Sequence, residues 1–284
     1  VAKRFEWNHV MTSFCQGPKL SCAACCGLYN VSDNSRKTLQ ALLEERSARF
    51  AETPRTFSGI EAFGASVLER QIGPLPLPDF HHCPFIGFID SRREKPGCLL
   101  HSKSPGNDGR DWRDICHYGG FACRTYFCPS HVHIPHRMLT LLMDAAEDWY
   151  AYGLVITRRK TLECLDRCLF GQEKSEELAR TTKIEIVRIA IDWILNWPYR
   201  KDAVRDRIHY FYNDAEPGPL LPDGFSDSAT GNACLSNACF IEILQELGSS
   251  FENDLQMLEA VERWASLSIL RENGNRSIRP SFLS

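Results

Sequence analysis

The chain has 284 residues, 33 Lys and Arg against 36 Asp and Glu, and a formal net charge of −3 at pH 7. That length allows one large domain or two modest ones with a sizeable core, and a slightly acidic chain is a poor fit to a general nucleic-acid binder, which would be basic. Thirteen cysteines are many, but their odd total, the adjacent pair Cys25–Cys26 and an ample supply of core-forming Leu, Ile, Trp and Phe argue against a disulfide scaffold.

Residues 1–34 read as irregular and carry Cys15, Cys22, Cys25 and Cys26. Residues 1–14 lack the apolar stretch of a signal peptide. No apolar run in the chain reaches the length of a membrane span, so a reduced, cytoplasmic protein is expected. Ser32, Asp33 and Ser35 offer capping oxygens to a helix over 36–51, where Leu39, Leu42, Leu43 and Phe50 recur at helical spacing. A second helix is expected over 58–71. The Pro-rich stretch Gly73–Pro78 ends it and leads to His81, His82 and Cys83. Residues 83–134 show little periodicity, as segments held by metal often do, because ligands there replace a hydrophobic core.

From residue 136 the pattern becomes helical. A helix over 136–152, preceded by Pro135 and stopped near Gly153, is followed by helices over 158–170 and 174–196. The last of these is apolar on most sides, which predicts a buried helix. A further helix is expected over 200–212, a loop over 213–231, and two amphipathic helices over 233–247 and 251–270. The fold class expected is mainly α: an irregular cysteine-rich metal-binding region over residues 1–135, packed with an all-helical second half over 136–284.

Eight cysteines in the first half fall into a four-plus-four pattern, Cys15, Cys22, Cys25 and Cys26, then Cys83, Cys98, Cys123 and Cys128. Zinc and iron–sulfur clusters both favour thiolates. Cysteines two residues apart, as Cys22 and Cys25 are, can reach one centre. Neighbouring side chains diverge, so the Cys25–Cys26 pair either serves two centres or serves one at an unusual turn, where Gly27 would allow a left-handed backbone. Arg124, beside Cys123, could donate hydrogen bonds to sulfur. Charge does not separate the metals. Eight ionised thiols add −8 and two zinc ions return +4, taking −3 to about −7, and two 4Fe–4S clusters in the 2+ state give the same total.

In Cys22-Ala23-Ala24-Cys25-Cys26-Gly27, Cys83-Pro84-Phe85-Ile86, Gly97-Cys98 and Cys123-Arg124-Thr125-Tyr126-Phe127-Cys128, with Cys15 ahead of them, the chain resembles the CxxCxxCC cysteine-cluster family, described as zinc- or iron-chelating. The resemblance covers roughly residues 13–130. It implies that the eight matched cysteines ligate metal. It also implies an enzymatic alternative, because flagellin lysine N-methylases carry a related cluster. The chain departs from the family in two places. The family's short Ile-Tyr-x-x-Arg-Pro link is replaced by the much longer Leu99–Ala122, which contains His101, Cys116 and His117, and the closing proline is displaced to Pro129. Cys116 is therefore a ninth candidate ligand.

Other features have ordinary readings. His131, His133 and His136 could bind metal, but exposed loop histidines are common. Cys164, Cys168, Cys234 and Cys239 read as core thiols. Arg158-Arg159-Lys160 reads as a solvated helix start, and Asp192 as an acid facing solvent or a gap in the packing. P-loop, GxGxxG, GxSxG and HExxH motifs are absent, and Pro18 stands where a radical enzyme using S-adenosylmethionine would need a cysteine. The function expected is a metal-binding protein coordinating zinc or iron, as one or two iron–sulfur clusters in the latter case. The alternatives are a metal-dependent methyltransferase and a zinc-stabilised interaction module. The partners expected are metal ions and a protein partner or substrate, with neither nucleic acid nor membrane.

Overall fold

The structure is a computed structural model and describes residues 14–17, 19–70, 73–116, 119–126, 128–171, 178–205, 207–208 and 235–272. Its class is mainly α. The helices are α1 (Arg36–Glu52), α2 (Phe57–Glu69), α3 (Gly119–Thr125), α4 (Pro129–His133), α5 (His136–Ala145), α6 (Trp149–Ile156), α7 (Arg159–Phe170), α8 (Arg180–Leu195), α9 (Asn237–Glu246) and α10 (Asp254–Glu272). Among the described residues the strands are β1 (Ile86–Phe88) and β2 (Pro96–Cys98), an antiparallel hairpin with Ile86 opposite Cys98. No helix of the described residues is long and apolar enough to cross a membrane.

Caps set several boundaries. Ser35 Oγ accepts from Thr38 N to start α1, and Thr56 Oγ1 accepts from Gly59 N to start α2. The expected helix over 136–152 is two helices. Asp148 takes an extended backbone and accepts from Ala151 N at 3.0 Å, which begins α6. Gly153 does not stop it. The residue lies inside α6, where a Cβ would meet Tyr29 Oη at 2.0 Å, so glycine is there for close packing. Residues 200–205, 207 and 208 are turns and irregular backbone rather than helix; the remainder of that expected helix, and the loop over 213–231, lie outside the described residues. The helix expected over 174–196 begins at Arg180 and is amphipathic. Ile186, Val187, Ala190, Ile191 and Ile194 are buried, while Arg188 and Asp192 face solvent.

Three apolar clusters hold the fold. The largest joins α5–α10 and takes in Phe14 and Leu20. The second joins Ala23, Leu28 and Tyr29 to Leu39 and Leu43 of α1 and to Trp149, Tyr150 and Leu154 of α6. The third gathers Phe50, Phe63, Phe85, Leu99, Leu100 and Trp112. Residues from before and after position 136 share the first two. Buried polar groups tie them further. Tyr152 Oη donates to Phe14 O at 2.7 Å, Tyr150 Oη to Asn34 O at 3.0 Å, and Tyr29 Oη to Trp149 O at 3.2 Å.

Arg158 is not solvated. It is fully buried and donates to Glu246 O and Arg207 O. The Glu246 carboxylate, on α9, caps α7 by accepting from Lys160 N (2.8 Å), Thr161 N (2.8 Å) and Thr161 Oγ1 (2.7 Å). Removing it strands three donors in a buried site. Glu246→Ala should therefore cost about 2–3 kcal/mol, read as a lower denaturant midpoint with an unchanged slope.

Candidate metal centres

The thiols form two sets, and the sets are not those of chain order. Cys15 and Cys22 flank a tight hairpin in which Cys22 N donates to Cys15 O at 2.9 Å and Gln16 pairs with Ser21. Cys25 and Cys26 sit on a single 3₁₀ turn, Ala24–Cys26. Gly27 closes that turn at φ 78°, ψ 23°, donating to Ala24 O at 2.8 Å. This is the left-handed backbone expected of it. Cys128 stands at the start of α4, its carbonyl accepting from His131 N.

Cys15, Cys22, Cys25 and Cys128 interact with one another. The hydrogen bond with Cys128 raises the Cys15 thiol most, and burial and the Cys22 and Cys25 sulfurs add to it. The same bond holds Cys128 down to about 6, with help from the Ser130 and His131 N–H groups. Burial, then Cys25, raises Cys22.

Cys26 belongs to the other set, with Cys83, Cys98, Cys116 and Cys123. Cys83 N donates to Cys26 O at 2.9 Å, Cys98 ends β2, and the Cys116 and Cys123 sulfurs are 2.9 Å apart. Burial pushes Cys83 up to about 12 and Cys98 up to about 11, and nearby thiols push in the same direction. The Cys25–Cys26 hydrogen bond joins the sets, lowering Cys25 and raising Cys26. Cys116 thus packs with the family-matched thiols, while Cys26 and Cys128 exchange the groups that chain order gives them.

The sulfurs lie at the seams of the core. Cys22 packs against the first and second apolar clusters, Cys26 against the second, Cys83 against the second and third, and Cys98 against the third. A buried polar brace supports the second set. His82 is 5 % exposed; its Nδ1 donates to Gly27 O at 2.6 Å and its Nε2 accepts from Arg46 at 2.8 Å. Burial and the Arg46 charge hold His82 down to about 3, so the ring stays neutral and its nitrogens are engaged away from sulfur. Arg46 also donates to Cys83 O at 3.2 Å. Neither role is legible in the local sequence. Arg46 carries a signal even so, because it follows Leu39 and Leu43 at i+7 and i+3 on the buried face of α1.

Arg124 is aimed elsewhere than expected. Its guanidinium pairs with Asp114 through two 3.0 Å contacts and with Asp111 at 3.2 Å, so carboxylates rather than sulfur take its hydrogen bonds. Arg113 is, with Arg46, an arginine beside the thiols. It donates to Cys123 O at 3.1 Å and its charge favours ionised Cys98. Of the three histidines, His136 stacks edge-on against Phe14 at 4.8 Å and contacts Thr140, and His133 is exposed.

Cys164 and Cys239 are buried, as core thiols would be, and Cys168 is disulfide-bonded; Cys234 lies outside the described residues. Cys164, Cys239 and Glu242 place their ligand atoms within 4.8 Å of one another, close enough to hold a metal ion, and among the described residues they are the trio that does so. A cleft of about 550 Å³ opens beside Cys83, lined by Glu61, Leu68, Leu75, His81, His82 and Phe85 among others. No protein-family model, curated protein or solved structure matches the chain.

Proposed function

We propose that the protein binds metal at two thiolate centres, one built from Cys15, Cys22, Cys25 and Cys128 and the other from Cys26, Cys83, Cys98 and Cys123, with Cys116 beside Cys123. The observation that carries this reading is the convergence of nine thiols from separate parts of the chain into two sets, divided at the adjacent pair Cys25–Cys26. The donor chemistry fits. The soft sulfurs, half-buried except for exposed Cys123 and buried Cys116, oppose one another's ionisation, and a bound cation would offset that repulsion. The motifs shared with the CxxCxxCC family support the same assignment.

The spacing does not separate zinc from iron–sulfur clusters. Four thiolates on one zinc, at Zn–S of about 2.3 Å, lie about 3.8 Å apart. Each set here has close pairs, but its sulfurs do not form a trio within 4.8 Å. A four-iron cluster carries one thiolate on each corner iron, and so holds its sulfurs further apart than the Cys116–Cys123 pair, at 2.9 Å. A colour and composition test decides between them. Protein purified without oxygen that is brown, with iron and acid-labile sulfide in equal amounts, holds iron–sulfur clusters; colourless protein with stoichiometric zinc holds zinc instead; metal-free protein sinks both.

The cleft beside Cys83 supports a second reading, a metal-dependent enzyme such as a protein lysine methyltransferase. Its lining mixes apolar side chains with Glu61 and His81, the composition expected of a small ligand site.

A further inference from the structure

Helix α7 carries Cys164 and Cys168 one turn apart on its buried face, and α9 brings Cys239 and Glu242 against it. Cys164 is fully buried and Cys239 is 2 % exposed. Their thiols are hydrogen-bonded to each other. Arg167 caps the pair: its Nη2 lies 3.0 Å from Cys164 Sγ, 3.1 Å from Cys239 Sγ and 3.5 Å from Glu242 Oε2.

A guanidinium in that position has two consequences. It already supplies positive charge where a metal ion would have to sit, at contact distance from all three donor atoms. It also stabilises ionised sulfur, the form that reacts with oxidants. The Arg167 side chain is 56 % exposed and Glu242 38 %, so the sulfurs lie one layer below solvent under a cover that can swing aside.

We propose that Cys164 and Cys239 form a peroxide-sensitive dithiol whose oxidation links α7 to α9. The oxidant class is hydroperoxide, and hydrogen peroxide is its smallest member. The Cys239 thiolate attacks one peroxide oxygen. The O–O bond breaks, sulfur is oxidised to sulfenic acid, and the departing hydroxide takes up a proton as water. Cys164 sulfur then displaces the hydroxyl from Cys239. An S–S bond forms, and the hydroxyl leaves as a second water with the Cys164 proton. Two thiols lose two electrons and two protons, and one peroxide becomes two waters. Cys239 is the attacking thiol because it accepts the Cys164 hydrogen bond and faces Arg167. That bond first, with Arg167 adding to it, holds Cys239 down to about 5.

The test uses the full chain as purified, with its metal content measured. After stoichiometric hydrogen peroxide and blocking with iodoacetamide, mapping by mass spectrometry without reduction should find Cys164 joined to Cys239. In Cys164→Ser, Cys239 should stop as a sulfenic acid that dimedone traps. Arg167→Gln should slow wild-type disulfide formation on the order of tenfold at pH 6 and much less at pH 9, since the thiolate fraction is what it controls; a purely structural role for Arg167 would not give that pH dependence. Recovery of both residues as free thiols from oxidised wild-type protein overturns the proposal without recourse to any variant. So does stoichiometric zinc that is lost on Cys239→Ser, which would make the trio a metal site. The outcome is independent of the metal bound at residues 15–128.

Discussion

Cys25→Ser should empty one thiolate centre and leave the other filled, and Cys26→Ser should do the converse. Each variant should retain about half of the wild-type metal, and the double variant almost none, because a centre that loses one of its thiolates loses most of its affinity. The division follows from geometry. Cys25 interacts with Cys128, and Cys26 with Cys83 and Cys98. The stability effect should also be large. Binding free energy at a thiolate site is folding free energy, roughly 10–16 kcal/mol for structural zinc, so each variant should unfold at a much lower denaturant concentration than wild type. Metal content and denaturant titration on the same preparations give both readouts. Loss of all metal from either single variant would mean that the pair serves one shared centre. Cys164→Ser, whose sulfur lies under Arg167, should keep the full complement.

These sets are only partly legible in the sequence. Spacing is local information: it links Cys22 to Cys25, and a Cys-Cys pair to two directions. Membership in a set is not local. Cys128 reaches Cys15 only because α4 leads into α5, which packs into the same cluster as Phe14, while Cys26 is turned toward Cys83 by the backbone bond between them. The helices divide in the same way. Strong periodicity locates α1 and α7 to within a residue or two at each end. The break between α5 and α6 depends on one capping oxygen, that of Asp148, in an otherwise continuous apolar pattern. Arg158 reads as solvated because its burial depends on Glu246 and Arg207, which are distant in sequence. Arg46 and His82 act in the same non-local way, each through a carbonyl in another segment.

Gly27→Ala should be among the most damaging single substitutions outside the cysteines. Gly27 has φ 78°, which costs an L-residue roughly 1–2 kcal/mol. The steric cost is greater. A Cβ built there would lie 2.0 Å from His81 O and 2.9 Å from His81 C, and both are backbone atoms that no rotamer change can move. Relief requires shifting the His81–Cys83 segment away from the Cys26 turn. That shift would break the Cys83 N to Cys26 O bond (2.9 Å) and the His82 Nδ1 to Gly27 O bond (2.6 Å), and would loosen the Arg46 brace. Strain, clash and lost buried hydrogen bonds together should exceed about 4 kcal/mol, a size reserved for such defined causes. Because the displaced segment carries Cys83, the variant should lose metal from the Cys26 centre before the Cys15 centre, so its metal content should fall toward that of Cys26→Ser rather than Cys25→Ser. A Gly27→Ala protein with wild-type stability and full metal content would show that the turn does not set the distance between Cys26 and Cys83, and the two-centre geometry would lose its main structural support.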